Sequence, residues 1–139
     1  MERAQSAQRI LAWLVLLGAT AQFFLAGLAV FRARPHDSDK LFESSSFDVH
    51  RGLGYALVLL SFALLVLAIV NRERVRLAFV LFVLMLLQVG LAMAGHDAAA
   101  VGGLHALNGL IVLLFSHLLT RGPREREEPE SYEEPLPAE

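Results

Sequence analysis

Four long apolar runs constrain the fold of this chain more than any other feature. They cover approximately residues 10–31, 53–70, 75–94 and 101–119, and the helix of the second run is predicted to start near Phe47. Each approaches the roughly 20 residues that an α-helix needs to cross about 30 Å of hydrocarbon. Because a backbone in lipid must satisfy its own hydrogen bonds, each run is expected to be a helix. The sequence predicts an all-α, four-helix transmembrane bundle over residues 10–120.

The composition supports a membrane protein and excludes several other classes. The 139 residues are 55% hydrophobic with a mean hydropathy of +0.52, which is more apolar surface than so small a soluble domain can bury. The absence of cysteine excludes disulfides, thiolate metal sites and iron–sulfur clusters. The basic residues flank apolar runs and form no single patch, so the sequence predicts membrane lipid and not nucleic acid as a partner.

The distribution of arginine predicts the orientation. Arginines lie in the N-terminal segment 1–9, in the loop at 72–76 and directly after the fourth run, whereas the connection Gly95–Ala100 has no basic residue. The positive-inside rule therefore places both termini in the cytoplasm. The excess of arginine over lysine is typical of GC-rich bacterial genomes, so the predicted location is the bacterial plasma (inner) membrane, with several passes.

Two terminal segments have their own interpretations. Arg9, the apolar stretch and Ala19-Thr20-Ala21 resemble a cleaved signal peptide, but the apolar character continues through Phe31, which favours a retained helix. The segment 121–139 is acidic and proline-rich, which predicts a disordered cytoplasmic tail.

The second and fourth runs share a pattern that indicates an internal repeat. HRGLGYALVLLS begins at His50 and HALNGLIVLLFS begins at His105, and in both a glycine follows the histidine by four residues and a serine by eleven. These offsets fall on one helical face. The first and third runs match more weakly, through QFFLAG from Gln22 and QVGLAM from Gln88. The pattern predicts two similar helical hairpins.

His50 and His105 are the main candidate site residues. Both lie near the outer ends of helices that run in the same direction, so the two imidazoles should sit at similar depth and could be axial ligands of one haem iron. Gly54 and Gly109 lie one turn deeper on the same faces, where the lack of a side chain leaves room for a flat macrocycle. Close helix packing is an alternative role for the glycines. Structural, hydrogen-bonded histidines, another metal site and a proton relay are the alternatives for the histidine pair.

Other polar residues have weaker assignments. Arg51, at the membrane boundary, could bind haem propionates or simply extend towards water. Gln22 and Gln88 are expected to hydrogen-bond across helices or to support a ligand histidine. The remaining candidates are weaker. His36 and His96 on the outer side could be loop residues or part of a metal site with no recognised spacing, and His117 near the inner end is expected to hydrogen-bond or cap at the helix C-terminus. Asn108 and Tyr55 lie near the layer of the histidine pair.

The string HRGLG at His50 resembles the His-Arg motif of haem A synthases, which are two four-helix bundles in tandem. His105 in GGLHALNGL matches the fourth-helix histidine of such a bundle, and Gln22 and Gln88 resemble its glutamines. The resemblance covers one half-unit, roughly residues 10–119, and implies a b-type haem site. Phe47 replaces the family's acidic residue and the second bundle is missing, which argues against haem A synthesis. The chain is more similar to a stand-alone relative, among small bacterial membrane proteins with HRGLG and LHALNG motifs.

These observations favour a membrane cytochrome b-like protein that binds one bis-histidine haem b near the outer face and transfers electrons. It would act as an electron carrier or membrane oxidoreductase, and no catalytic residue is assigned. A quinone or another membrane redox protein is the candidate partner, and an oligomer or larger complex is compatible with the sequence. The alternative is a non-enzymatic accessory or structural subunit of a membrane complex. A transporter is disfavoured because the runs contain no carboxylate.

Overall fold

The described part of the chain forms four antiparallel α-helices. The computed structural model describes residues 2–32, 45–95 and 98–121. The helices are α1 (Glu2–Arg32), α2 (Ser45–Asn71), α3 (Val75–Ala94) and α4 (Ala99–Thr120). All four are long and apolar enough to span a membrane, and the described residues contain no strand. The protein is thus an all-α, multi-pass membrane protein, as the four apolar runs predict.

The helix boundaries differ from the apolar runs mainly at α1. The third run coincides with α3, but α1 begins at Glu2, eight residues before the apolar run, and α2 begins at Ser45. Hydropathy detects the segment that faces lipid, whereas helical hydrogen bonding continues into the polar turns beyond it. The predicted N-terminal segment 1–9 is therefore largely helical from Glu2 onward.

The helices pack as two hairpins around a narrow core. The contacts within the hairpins α1–α2 and α3–α4 are more extensive than those of α2 with α3 and of α1 with α4, which complete the ring. The diagonal pairs are α1 with α3 and α2 with α4. The fully buried apolar side chains include Val15, Leu57, Leu64 and Leu81. Large apolar side chains such as Phe24 and Leu59 remain exposed around the bundle, as expected for a surface that lipid covers.

Hydrogen bonds at one end of the bundle join the start of α1 and the end of α4 to the α2–α3 turn. The Asn71 side-chain amide donates to Gln8 Oε1 at 2.7 Å, and Gln8 Nε2 donates to the Glu73 carbonyl at 3.2 Å. Arg74 Nη1 donates to the Leu118 carbonyl at the end of α4, at 2.6 Å. The start of α1 and the end of α4 therefore lie on the same side. That this side is cytoplasmic stays a prediction from the arginines.

Candidate functional site

The structure brings the two candidate histidines together across the diagonal of the bundle. The ring centroids of His50 on α2 and His105 on α4 are 6.3 Å apart, with an angle of 58° between the planes. Both lie in the second turn of their helices, counted from the end opposite the α2–α3 turn. The similar position of each histidine in a parallel-running helix places the rings at one level of the bundle.

Each histidine receives the same backbone hydrogen bond from the neighbouring helix of its hairpin. Gln22 Nε2 donates to the His50 carbonyl at 2.9 Å, and Gln88 Nε2 donates to the His105 carbonyl at 2.9 Å. A Cβ atom at Gly54 would lie 3.1 Å from Gln22 Nε2. The glycine one turn after His50 thus lets the amide approach the helix backbone closely.

The fourth helix shows a similar close approach at Gly109. A Cβ atom there would lie 3.4 Å from Gln88 Nε2 and 3.0 Å from Phe23 Cζ. Ser61 and Ser116, the serines of the repeat, are both completely buried and donate to carbonyls of their own helices. The repeated residues therefore occupy matching environments in the two hairpins.

The repeat fails at the position three residues after each histidine, which is Asn108 on α4 and Leu53 on α2. Asn108 is buried, and its Nδ2 donates to Gln88 Oε1 at 2.5 Å and to the Leu84 carbonyl at 3.0 Å. Leu53 packs against the apolar core and has no polar atom to offer Gln22. The side chain of Gln88 is consequently oriented by a protein donor, and that of Gln22 is not.

The two imidazoles also differ in their hydrogen-bond partners. His105 Nδ1 lies 3.0 Å from the Gln88 carbonyl oxygen, to which it can only donate, and His105 Nε2 lies 3.2 Å from Gln88 Nε2. These contacts favour the tautomer with the proton on Nδ1 and the lone pair on Nε2. By contrast, His50 Nδ1 and Gln22 Oε1 are buried without a hydrogen-bond partner. No other side-chain nitrogen or oxygen of the described residues is both buried and unpartnered.

A cavity of about 630 Å³ contains both histidines. All four helices contribute to its wall, mostly through apolar and aromatic side chains such as Phe23, Leu57, Met85 and Val89. Gln22, Gln88, Gly54 and Gly109 also line it, whereas Asn108 supports Gln88 from behind the wall. Its volume lies within the roughly 300–1,000 Å³ that is usual for small-molecule and cofactor sites.

Arg51 and Phe47 lie at the cavity wall beside His50. Arg51 is exposed and forms an ion pair with Asp48, one turn earlier in α2. The predicted contact of Arg51 with haem propionates stays a prediction. Phe47, in the place of the acidic residue of haem A synthases, presents its ring to His50 at 6.2 Å in an edge-on arrangement. An apolar ring therefore covers the side of His50 where the resemblance would place a carboxylate.

Of the remaining histidines, His117 lies in the described part of the chain and does not join this site. His36 and His96 lie outside the described residues. His117 is exposed near the C-terminal end of α4, where its Nε2 lies 3.1 Å from an Arg121 nitrogen. Among the described residues there is no cluster of three or more metal-ligating side chains. Two imidazoles and the cavity between the hairpins are thus what this region offers a metal or cofactor.

The separation of the two imidazoles is compatible with both being ligands of one haem iron. A metal–imidazole bond is about 2.0 Å and the nitrogen lies about 1.2 Å from the ring centre, so two opposed ligands have centroids roughly 6 Å apart. The observed 6.3 Å agrees with this separation. Gln88 Nε2 now donates to His105 Nε2, so this hydrogen bond would have to be released before that nitrogen could bind a metal. Gln88 can release Nε2 and keep its bond to the His105 carbonyl.

Asn108 is more important for the structure of the site than the amino-acid sequence suggests. From the sequence it is only a weak candidate site residue, because helical spacing does not show which neighbour its side chain faces. The signal that could have found it is its spacing of three residues from His105, together with the leucine at the equivalent position after His50. That single polar-to-apolar difference is the main asymmetry of the site.

The fold and the site define a small four-helix membrane protein of two similar hairpins, with a cavity that contains a histidine from each hairpin. Residues 22–95 match the Family of unknown function (DUF6220), and the chain belongs to this family. The matched segment begins at Gln22 and contains His50 and Gln88 but ends before His105. No curated protein and no solved structure matches the chain significantly. The resemblance to haem A synthases stays a prediction.

Proposed function

We propose that this protein is a membrane cytochrome b-like electron carrier that holds one haem b between His50 and His105. The site would lie near the outer face of a bacterial inner membrane, as the arginine distribution predicts. The observation that carries the proposal is the 6.3 Å separation of two imidazoles in one largely apolar cavity. When bound, haem would supply reversible one-electron transfer at its iron.

One of the two imidazoles already makes the hydrogen bond that a ligand histidine usually makes. A ligand histidine usually donates its other ring N–H to a carbonyl or carboxylate, which fixes the tautomer and raises the basicity of the ligand nitrogen. The Gln88 carbonyl accepts from His105 Nδ1 in this way. His50 Nδ1 has no such acceptor. The proposal therefore makes His105 the better oriented ligand and His50 the more adaptable one.

The remaining wall sets the surroundings of the iron. Apolar and aromatic side chains exclude water and lower the local dielectric, which tunes a reduction potential through the cost of changing charge. Arg51, in its ion pair with Asp48, lies at the edge of the cavity. A quinone or another membrane redox protein is the expected exchange partner.

An absorption spectrum tests the proposal directly. The protein would be produced in cells supplied with a haem precursor, purified in detergent, and measured in the oxidised and then the reduced state. We expect a Soret band, reduced α and β bands typical of bis-histidine haem b, and one iron per chain. A colourless protein, or haem that remains after both His50→Ala and His105→Ala, would contradict the proposal.

A structural role for the histidines is the second candidate, and one observation favours it. Both ring nitrogens of His105 lie within hydrogen-bonding distance of Gln88, an arrangement that needs no metal. In that case the bundle would be an accessory subunit of a larger membrane complex. Double replacement of His50 and His105 would then leave association with the complex unchanged, and the purified protein would contain no haem.

A further inference from the structure

The two histidines of the cavity are not equally available to a metal. Both are half-buried and both line the cavity wall. Gln88 Nε2 lies 3.2 Å from His105 Nε2 and donates to its lone pair. His50 Nε2 makes no hydrogen bond with any described residue and is not one of their two buried unpartnered atoms, so it is open to the cavity. The cavity therefore contains one open and one occupied imidazole nitrogen.

Nε2 is the only ring nitrogen of each histidine that can bind a metal in the cavity. His105 Nδ1 donates its proton to the Gln88 carbonyl, so it has no lone pair to offer. His50 Nδ1 is buried and cannot be reached from the cavity. The state of the two Nε2 atoms therefore decides how readily each histidine becomes a ligand.

Asn108 holds the Gln88 amide in the position that occupies His105 Nε2. Asn108 is buried, and its Nδ2 donates to the Leu84 carbonyl at 3.0 Å and to Gln88 Oε1 at 2.5 Å. The Leu84 carbonyl can only accept, which identifies the amide nitrogen of Asn108 and, beside it, the amide oxygen of Gln88. With that oxygen held, the amide nitrogen of Gln88 faces His105.

The α1–α2 hairpin has no such arrangement. Gln22 Nε2 donates to the His50 carbonyl at 2.9 Å and makes no hydrogen bond to the His50 ring. Leu53, at the position equivalent to Asn108, packs against the apolar core and has no donor that could orient Gln22. The occupied imidazole nitrogen is thus a property of the α3–α4 hairpin alone.

We propose that Asn108 and Gln88 form a latch on His105, so that His50 binds the haem iron first and His105 binds it only after Gln88 Nε2 is released. This inference rests on the proposed function. Asn108 and Gln88 are positioning residues, since they act through His105. The released amide keeps its bond to the His105 carbonyl at 2.9 Å, so opening the latch breaks one hydrogen bond. A single net hydrogen bond corresponds to a factor of about three to ten in a rate or an equilibrium.

Acylation by diethyl pyrocarbonate tests the latch in the haem-free protein, because the reagent attacks an imidazole nitrogen with an available lone pair. The full-length chain in lipid nanodiscs is treated for increasing times, and mass spectrometry gives the rate at each histidine. We expect His50 to react about threefold to tenfold faster than His105 in the wild type. The ratio of the two rates within one molecule is independent of how fast the reagent enters the cavity.

Two variants open the latch and a third is the matched control. Gln88→Met keeps the length of the side chain without its polar atoms, and Asn108→Leu copies the residue that the other hairpin has at this position. Both should bring the ratio of rates close to one, whereas Gln22→Met should leave it unchanged. If one latch variant does not fold, the other decides. Equal rates in the wild type, or an unchanged ratio in the folded latch variants, would overturn the inference.

Stopped-flow addition of haemin to the same proteins tests the order of binding. We expect two phases in the wild type, a first that gives the spectrum of haem with one histidine ligand and a second that gives the bis-histidine spectrum. The second phase should be about threefold to tenfold faster in Gln88→Met and Asn108→Leu, and absent in His105→Ala. His50→Ala should lose the first phase. A second phase of unchanged rate in both latch variants would refute the order.

The two experiments separate this inference from the proposed function. A bis-histidine spectrum that forms in one phase, with equal acylation rates, rejects the latch and leaves the haem proposal intact. A chain that binds no haem rejects the proposed function and with it the order of binding, while the acylation ratio still shows whether Gln88 occupies His105 Nε2.

Discussion

Gln88 contacts both ring nitrogens of His105, through its backbone carbonyl at Nδ1 and its side-chain amide at Nε2, at 3.0 and 3.2 Å. One residue thereby controls the tautomer of the imidazole and competes for its ligand nitrogen. In the other hairpin, the hydrogen bond of Gln22 within the described residues is the one to the His50 carbonyl. The two glutamines therefore occupy equivalent positions in the repeat but have unequal structural importance.

This inequality predicts unequal losses of stability. Gln88→Leu removes the side-chain bonds to the His105 carbonyl and to His105 Nε2, and it leaves the buried Asn108 amide with one acceptor fewer. Gln22→Leu removes one bond together with an unpartnered oxygen. We expect Gln88→Leu to lower the free energy of unfolding by about 1–3 kcal/mol more than Gln22→Leu. Denaturation by SDS in mixed micelles, followed by circular dichroism, measures both. Equal losses would show that the asymmetry of the hairpins has no energetic effect.

The proposed haem site predicts which histidine replacements remove the cofactor. His50→Ala and His105→Ala should each lower the haem-to-protein ratio at least about tenfold, since one axial ligand and its side of the cavity are lost. His117→Ala is the control, because His117 is exposed at the opposite end of α4. Pyridine haemochrome assays on purified protein give the ratio. A ratio that falls equally in all three variants would indicate a general folding defect.

The packing of α1 against α2 predicts opposite effects of alanine at two glycines. A Cβ atom at Gly18 would lie 2.5 Å from Cδ2 of the buried Leu57, whereas one at Gly27 meets no atom within 4 Å. We expect Gly18→Ala to destabilise the bundle by about 1–3 kcal/mol through overpacking. Gly27→Ala should stabilise it by up to about 1 kcal/mol through helix propensity. Thermal unfolding in detergent compares the two, and a stabilised Gly18→Ala would show that Leu57 has room to move.

The α2–α3 turn contains backbone strain that glycine should relieve. Arg72 has a φ of 55°, and the Glu73 amide donates to the Ala68 carbonyl across the end of α2. A left-handed conformation costs a residue with a side chain about 1 kcal/mol, and glycine avoids this cost. Arg72→Gly should therefore be more stable than Arg72→Ala by about that amount, since both lack the charge. Unfolding midpoints in one detergent compare them, and an equal stability would refute the assignment of strain.

Much of the fold follows from the sequence because lipid permits few alternatives. A backbone in hydrocarbon must form a helix or a closed barrel, so uninterrupted apolar runs are sufficient to predict the four helices. The bounds of α3 agree with its run at both ends. The early start of α1 was not predicted, because polar residues such as Gln8 are drawn into the helix by contacts with the α2–α3 turn.

The sequence by itself determined the number and nature of the helices, the repeat, and the two histidines as equivalent members of it. Only the tertiary structure decided that their rings approach to 6.3 Å and that the two halves of the cavity differ. The physical reason is that hydropathy and spacing act along one helix, whereas a hydrogen bond such as Asn108 to Gln88 depends on how two helices are rotated against each other. That rotation is set by packing across the whole bundle, which no single segment encodes.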